Sequence, residues 1–280
     1  MILEIANVEH GACALITTSN NKRVMIDCGH NTTTGWRPGD TLIKNGIYSL
    51  DRLIISNYDE DHVSAYSNLI DQVVVSVITR NWRVPPVTIR KLKSEQGIGR
   101  GIERLVNTLE RTFTCTVPVT YENDFGDTSF QTFANGYGAP PFGFDDENNL
   151  SLVTFVTCGN HRMIFPGDME KAGWKALLLD SQFVRLLGDV TVFVASHHGR
   201  ENGYCEDILD RCPNIQLIVI SDKSKEHETQ ETVDRYRKYA KGILYNGKPR
   251  HVLTTRRDGY MKFTFNPSGS GQVVLENGGI

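Results

Sequence analysis

The sequence predicts an α/β protein of four layers, two β-sheets packed face to face with helices on both outer faces. Three observations predict it. Short apolar runs of strand character recur along all 280 residues and alternate with helical patterns. The series begins with three strands in succession, repeats its alternation in the second half and ends in a pair of strands, which suits two sheets better than one. Several apolar runs end in Asp, His or Gly, as strands do when the loops at one sheet edge build a site.

Leu3–Val8, Ala14–Thr18 and Arg23–Asp27 read as the opening strands. Leu53–Ser56 and Val73–Thr79 continue the sheet, with a helix over Asp61–Ile70 between them and another around Ile102–Arg111. The Gly- and Pro-rich stretch Asn135–Gly143 reads as a loop. The second series places strands at Leu150–Thr157, Arg162–Phe165, Val190–Ala195 and Ile215–Ser221, closing with His251–Thr255 and Tyr260–Phe265. Helices are expected at Lys171–Leu187, Tyr204–Arg211 and Thr229–Lys241, the last with Val233, Tyr236 and Tyr239–Ala240 as its apolar positions. No internal repeat or low-complexity linker divides the chain. A single domain over 1–280 is expected, elaborated by a basic helical segment at about 80–111.

A composition of 39% hydrophobic and 22% charged residues is that of a globular protein with a real core. The net charge of −3 argues against a protein coated in positive charge for nonspecific nucleic-acid binding, while leaving room for a local basic groove. Cys13, Cys28, Cys115, Cys158, Cys205 and Cys212 form no C-x-x-C pair, and several sit in apolar runs. They are expected as reduced thiols in a cytoplasmic protein. No apolar run reaches the ~20 residues that span a bilayer. The start, Met1-Ile2-Leu3-Glu4-Ile5, lacks the basic residues and long apolar core of a signal peptide. A soluble protein without a membrane partner is expected.

Chemistry concentrates in Ser56-Asn57-Tyr58-Asp59-Glu60-Asp61-His62, which follows the apolar Leu53-Ile54-Ile55 and opens a helix. Three acids crowded at a strand end repel one another, and a divalent cation held by carboxylates and imidazole would keep them together. A solvated acidic turn explains this segment, taken alone, equally well. Four further apolar runs end in residues able to bind a metal: Asp27-Cys28-Gly29, Gly167-Asp168, Ser196-His197-His198-Gly199, and Ser221-Asp222 with His227 soon after. One histidine or one Gly-Asp turn has an ordinary structural explanation. Five such strand ends in order point to a metal site.

In that order the motifs resemble the metallo-β-lactamase superfamily, where H-x-H-x-D-H follows a strand and opens a helix. An earlier strand of that family ends in Asp-x-Gly, a later one in a metal-bridging Gly-Asp, and a last His closes the site. The resemblance runs from Ile5 to about Phe265 and implies a four-layer αββα metallo-β-lactamase-like sandwich. It implies Asp59, Asp61, His62, Asp168 and His227 as metal ligands, with Asn57 standing where the family has its first His. One ion would rest on Asn57, Asp59 and Asp168, an all-oxygen set favouring Mn²⁺ or Mg²⁺. The other would use Asp61, His62, Asp168 and His227, a mixed set where Zn²⁺ is also suited. Asp27 would stand behind the ligands. Within the superfamily the chain is most similar to ComEC-type competence nuclease domains, through Asp59, Asn148-Asn149-Leu150-Ser151, Ser196-His197-His198-Gly199 and Asp258-Gly259. Those proteins carry the domain beside a membrane channel, a region with no counterpart here.

The implied chemistry is hydrolysis, in which a water that loses its proton on the metal attacks phosphorus or a carbonyl carbon. Phosphodiester cleavage also requires a proton for the departing alkoxide. The resemblance puts His198 in that role. His197 is the second candidate, and a backbone-bonded structural neighbour is its simpler reading. Arg80, Arg83, Arg90, Lys91, Lys93, Arg100, Arg104 and Arg111 stand against three Glu, with Trp82 and Gly97–Gly101 among them. This segment reads either as a wall where Arg90, Lys91 and Lys93 grip phosphates and Trp82 stacks on a base, or as a solvated helical face. The function expected is metal-dependent phosphodiester hydrolysis, first as a DNA nuclease, then as a phosphodiesterase for small cyclic or signalling nucleotides. Acyl hydrolysis of a thioester or lactam and a non-catalytic binding module stand behind these.

Overall fold

Period-two alternation sorts the strand side chains of this protein into three apolar layers. Along Ala14–Thr17, Ala14 and Ile16 enter one layer while Leu15 packs on another; along Arg23–Ile26, Val24 and Ile26 part from Met25 in the same way. Leu217 and Val219 likewise face the first layer, and Ile218 and Ile220 the opposite side. Both faces of each sheet are therefore buried, and two sheets need helices outside them. The computed structural model describes residues 1–94, 97–117, 124–138, 143–223 and 232–278, and shows this four-layer αββα arrangement.

The first sheet has seven strands in the order Gly271–Leu275, Met261–Phe265, Ile2–Ile5, Ala14–Thr17, Arg23–Ile26, Arg52–Ile54 and Ile78–Thr79. The second has six, ordered Val252–Thr254, Leu217–Ile220, Val192–Val194, His161–Phe165, Leu152–Cys158 and Thr128–Ala134. Leu3, Ile16 and Val24 meet Val156, Met163 and Val219 between the sheets. Tyr66, Leu69 and Leu105 cover the first sheet outside, and Trp174, Phe183 and Tyr236 cover the second. Each sheet has a parallel portion, Arg23–Ile26 to Ile78–Thr79 in the first and His161–Phe165 to Val252–Thr254 in the second. The loops that leave the carboxyl ends of these parallel strands meet along one edge of the sandwich, the usual place for a site in such sheets.

Several boundaries differ from expectation for local reasons. The helix expected over Lys171–Leu187 is two, Lys171–Leu177 and Ser181–Leu187. Asp180 interrupts it by accepting the N–H groups of Gln182 and Phe183 at 2.8 and 3.1 Å, an N-cap inside the apolar pattern. Asp61–Ile70 divides into Glu60–Val63 and Tyr66–Gln72. Val73–Thr79 divides into Val74–Val75 and Ile78–Thr79, which join different sheets. Thr128–Ala134, Gly271–Leu275 and the Ile243–Tyr245/Lys248–Arg250 hairpin are strands the sequence reading did not anticipate. The six cysteines are free, all buried except Cys115. Among the described residues no helix is long and apolar enough to cross a membrane.

Candidate metal centre

Five strand ends supply the centre. Asp27 follows Arg23–Ile26, and Asn57–His62 follow Arg52–Ile54. Asp168 follows His161–Phe165, His198 follows Val192–Val194, and Ser221 follows Leu217–Ile220. Glycines let these loops close on one another. A Cβ on Gly29 would lie 2.5 Å from the Asp61 carbonyl oxygen, so Asp27-Cys28-Gly29 and the acidic run approach only without one. Gly167 has φ +59°, and a Cβ there would meet Ser56 Oγ at 2.9 Å. Asp27, His197 and His198 themselves take left-handed backbone, φ 58°, 50° and 53°. Such a conformation costs a non-glycine residue roughly 1–3 kcal/mol and persists where surrounding contacts impose it.

Asp61, His62, Asp168 and His198 offer ligand atoms that all lie within 4.8 Å of one another. His62 Nε2 is 3.0 Å from Asp168 Oδ1, and its Nδ1 is 2.8 Å from Asp27 Oδ2. Asp27 also accepts the Ser56 N–H at 2.7 Å and the Ser56 hydroxyl. His198 Nδ1 donates to the Ser221 carbonyl at 3.0 Å, which turns Nε2 toward the centre. That nitrogen is buried without a hydrogen-bond partner, facing Asp61 Oδ2 at 3.2 Å and Asp168 Oδ1 at 3.5 Å. Opposite donors around an ion with bonds near ~2.1 Å lie roughly 4 Å apart, so the four groups fit one cation with little adjustment. Each imidazole has its far nitrogen held by a carboxylate or carbonyl, the support that ligating histidines need. Two carboxylates and two imidazoles suit Zn²⁺ or Mn²⁺ better than Mg²⁺.

Burial disfavours every charge here, and mutual attraction outweighs it. The Asp168 carboxyl is held well below the usual carboxylate range by His62 and His198, and Asp61 is lowered chiefly by His198. His62 is raised by Asp168 and Asp27, and His198 by Asp168 and Asp61, both against burial. His197 is the exception, since burial keeps it below the usual imidazole range. Its ring lies 3.8 Å from Asp168 Oδ2 and 3.6 Å from Glu170, with Arg200 Nη1 3.2 Å from its Nε2.

The other side of the centre departs from the expected ligand set. Asn57 is fully buried with both ends of its amide engaged. Oδ1 accepts the Asp59 N–H at 2.7 Å, while Nδ2 donates to Ser151 Oγ at 3.0 Å and to Asn148 Oδ1 at 3.3 Å. Ser151 Oγ also accepts the Asp168 N–H at 3.1 Å. Asn57 thus positions the loops, with its Oδ1 committed to the Asp59 N–H and its Nδ2 to Ser151 and Asn148. Asp59, expected as a ligand, is ion-paired with Lys93, which also bonds Glu147 at 2.6 Å. Glu60 caps the Arg100–Arg111 helix through the N–H groups of Gly101 and Ile102, at 2.8 and 3.1 Å. All three crowded acids therefore have protein partners, Asp59 in Lys93, Glu60 in the helix N–H groups and Asp61 in His198, and repulsion in that run does not by itself demand a metal.

His198, expected as proton donor, has the pose of a ligand. His227 lies outside the described residues. Asn149 acts away from the centre, bonding Asp146 and accepting the Gly173 N–H at 2.6 Å. Arg90 and Lys91 face outward onto Glu110 and Tyr137, whereas Lys93 turns inward, which removes it from the outer wall where it was expected. Sequence reasoning missed Glu147, Ser56 and Ser221. Ser56 and Ser221 lay within quoted strand ends; Glu147 had no such signal.

No protein-family model and no curated protein matches the chain. Solved structures do. Igni18, a metallo hydrolase from Ignicoccus hospitalis, aligns at 10% identity and TM-score 0.50 over 95% of this chain and 100% of that one. A variant of the CmlA β-hydroxylase aligns at 11% identity and TM-score 0.50, over 93% of this chain and 53% of its own. The metallo-β-lactamase fold protein YhfI from Bacillus subtilis aligns at 11% identity and TM-score 0.42, over 93% and 99%. A hydrolase and a hydroxylase on one architecture show that it does not dictate the reaction. What the likeness establishes is the fold, and this chain has the metallo-β-lactamase fold.

Proposed function

We propose that the chain is a metal-dependent hydrolase of phosphodiesters. The observation that carries this is the buried His198 Nε2, aimed into the centre because Nδ1 is tied to the Ser221 carbonyl, converging with His62, Asp61 and Asp168 on one point. When bound, a divalent ion supplies an acidified water and a Lewis acid for the substrate's oxygens. The protein's part is to orient both imidazoles through Asp27 and Ser221 and to hold the carboxylates ionised. With His198 in a ligand pose, His197 is the other histidine beside Asp168, and burial, which favours its neutral form, suits it to accept a proton from the attacking water rather than to donate one to the leaving alkoxide. The kinship with ComEC-type nuclease domains belongs to this proposal. One of its signatures has a structural use in this chain, since Asp258 accepts the Thr254 N–H at 2.9 Å and pairs with Arg250 at 2.6 Å.

A specific observation favours a compact substrate, a small cyclic or signalling nucleotide, over a long DNA strand. The basic segment has much of its charge already paired with protein carboxylates: Arg90 with Glu110 and Arg104 with Asp71 at the surface, and Lys93 with Asp59 and Glu147 inside. The test is turnover with Mn²⁺ or Zn²⁺ on single-stranded and plasmid DNA, a cyclic dinucleotide and a thioester. Cleavage of the phosphodiesters that disappears on chelation is the expected result. Thioester hydrolysis alone, or turnover unaffected by chelation, would overturn the proposal.

A further inference from the structure

Lys93 ends the Pro86–Lys93 helix in a segment whose Arg90 and Lys91 lie at the surface, yet its own side chain is only 3% exposed. Taking an ammonium out of water costs several kcal/mol unless charged partners compensate. Two do, Asp59 in direct contact and Glu147 at 2.6 Å. The surroundings fix this arrangement. Glu60 clamps the neighbouring helix to the acidic run through Gly101 and Ile102. Asn57 steadies both partners of the lysine, accepting the Asp59 N–H and donating to the Glu147 carbonyl at 3.4 Å.

We propose that the Lys93 ammonium takes the place of a second metal ion. The chain then binds one divalent ion, at Asp61, His62, Asp168 and His198, and Lys93 provides the fixed positive charge beside it. This deepens the hydrolase reading above and rests on it. An ion between Asp59 and Glu147 would have to displace a covalently tethered cation, and the Asn57 Oδ1 beside it is already engaged by the Asp59 N–H. The ammonium has three N–H donors. Asp59 and Glu147 take two, so the ammonium is held by both carboxylates at once. A tethered charge also survives chelation, which an ion does not.

Metal counting by mass spectrometry, after equilibration with Mn²⁺ or Zn²⁺ and removal of free ion, reads this independently of turnover. One ion per chain is expected in the wild type and in Asp59→Asn. Lys93→Met leaves two carboxylates without their cation and is expected to take up a second ion at high Mn²⁺. Two ions in the wild type, loss of the ion in Asp59→Asn, or a folded Lys93→Met that still holds one ion would each overturn the proposal. If Lys93→Met does not fold, the counts for the wild type and Asp59→Asn decide. A wild type that binds no ion refutes the metal centre as well. The expected counts without hydrolysis of any phosphodiester support the place of Lys93 and refute only the reaction.

Discussion

Asp59 and Asp61 leave the same turn two residues apart, and the fold gives them different partners. Asp61 faces His198 at 3.2 Å, beside His62 and Asp168, where two imidazole nitrogens and two carboxylates converge. Asp59 faces Lys93, and the amide next to it, Asn57, has both ends occupied. The two sides hold similar numbers of acids, yet one is closed by a tethered ammonium and the other by imidazoles, which would give up their protons to an ion. What distinguishes the two clusters in this molecule is the partner of their carboxylates, an ammonium on one side and imidazoles able to serve as ligands on the other.

Removing the shared carboxylate should produce the largest effect. Asp168→Ala is expected to abolish metal binding and reduce hydrolysis to background while the chain stays folded. Circular dichroism and a metal count check this, and metal content equal to wild type would dissolve the distinction between the two sides. Asp27→Asn tests the support behind His62. The exchange keeps the size but loses the anion that faces Nδ1 at 2.8 Å. Changes in such outer partners typically cost 10–100-fold in metal affinity. Competition with a chelator measures it, and an unchanged affinity would show that His62 needs no orienting carboxylate.

Asn57→Ala should act on stability instead. The variant strands the Asp59 N–H and withdraws a donor from Ser151, which in turn holds the Asp168 N–H. Leaving buried polar groups unpaired costs about 1–3 kcal/mol each. A lowered midpoint in urea with the metal count unchanged is expected; loss of the ion with no change in stability would make Asn57 a ligand after all.

The contrast also explains what was legible in the sequence. Apolar runs ending in Asp or His were readable because strands buried on both faces are short and apolar, and the site sits at their ends. Asp61, His62 and Asp168, singled out as ligands, and His198, singled out as a proton donor, were noticed that way, and their ligand atoms lie within 4.8 Å of one another. Thr128–Ala134 was not, because Thr-Ser-Phe-Gln-Thr-Phe-Ala is an edge strand with one partner and a largely polar face. Gly271–Leu275 escaped for the same reason. The closed side of the centre was misread because its partners come from distant segments. Lys93 and Glu147 are 54 residues apart, and no local pattern shows that they meet. Asn57 was placed by its rank in a motif, whereas its role is fixed by which neighbours use its amide.

The smallest effect is expected on the outer face of the basic segment. Arg90 bonds Glu110 and Asn107, each at 2.9 Å, and Lys91 reaches the Tyr137 hydroxyl at 3.1 Å. Exposed ion pairs of this kind contribute about 0–1 kcal/mol. Changing Arg90 and Lys91 together to Gln should therefore leave fold, metal count and turnover of a small phosphodiester unaltered. DNA is the informative substrate. If these side chains contacted phosphates, the double variant would show a log–log salt dependence of DNA binding shallower by about 2, close to one for each lost contact. The expected result is no change in that slope, because Arg90 is already held by Glu110 and Lys93, the inward member of the trio, serves the centre. A shallower slope with weaker cleavage of long DNA alone would assign the outer face to a polyanion and return DNA to first place among the substrates.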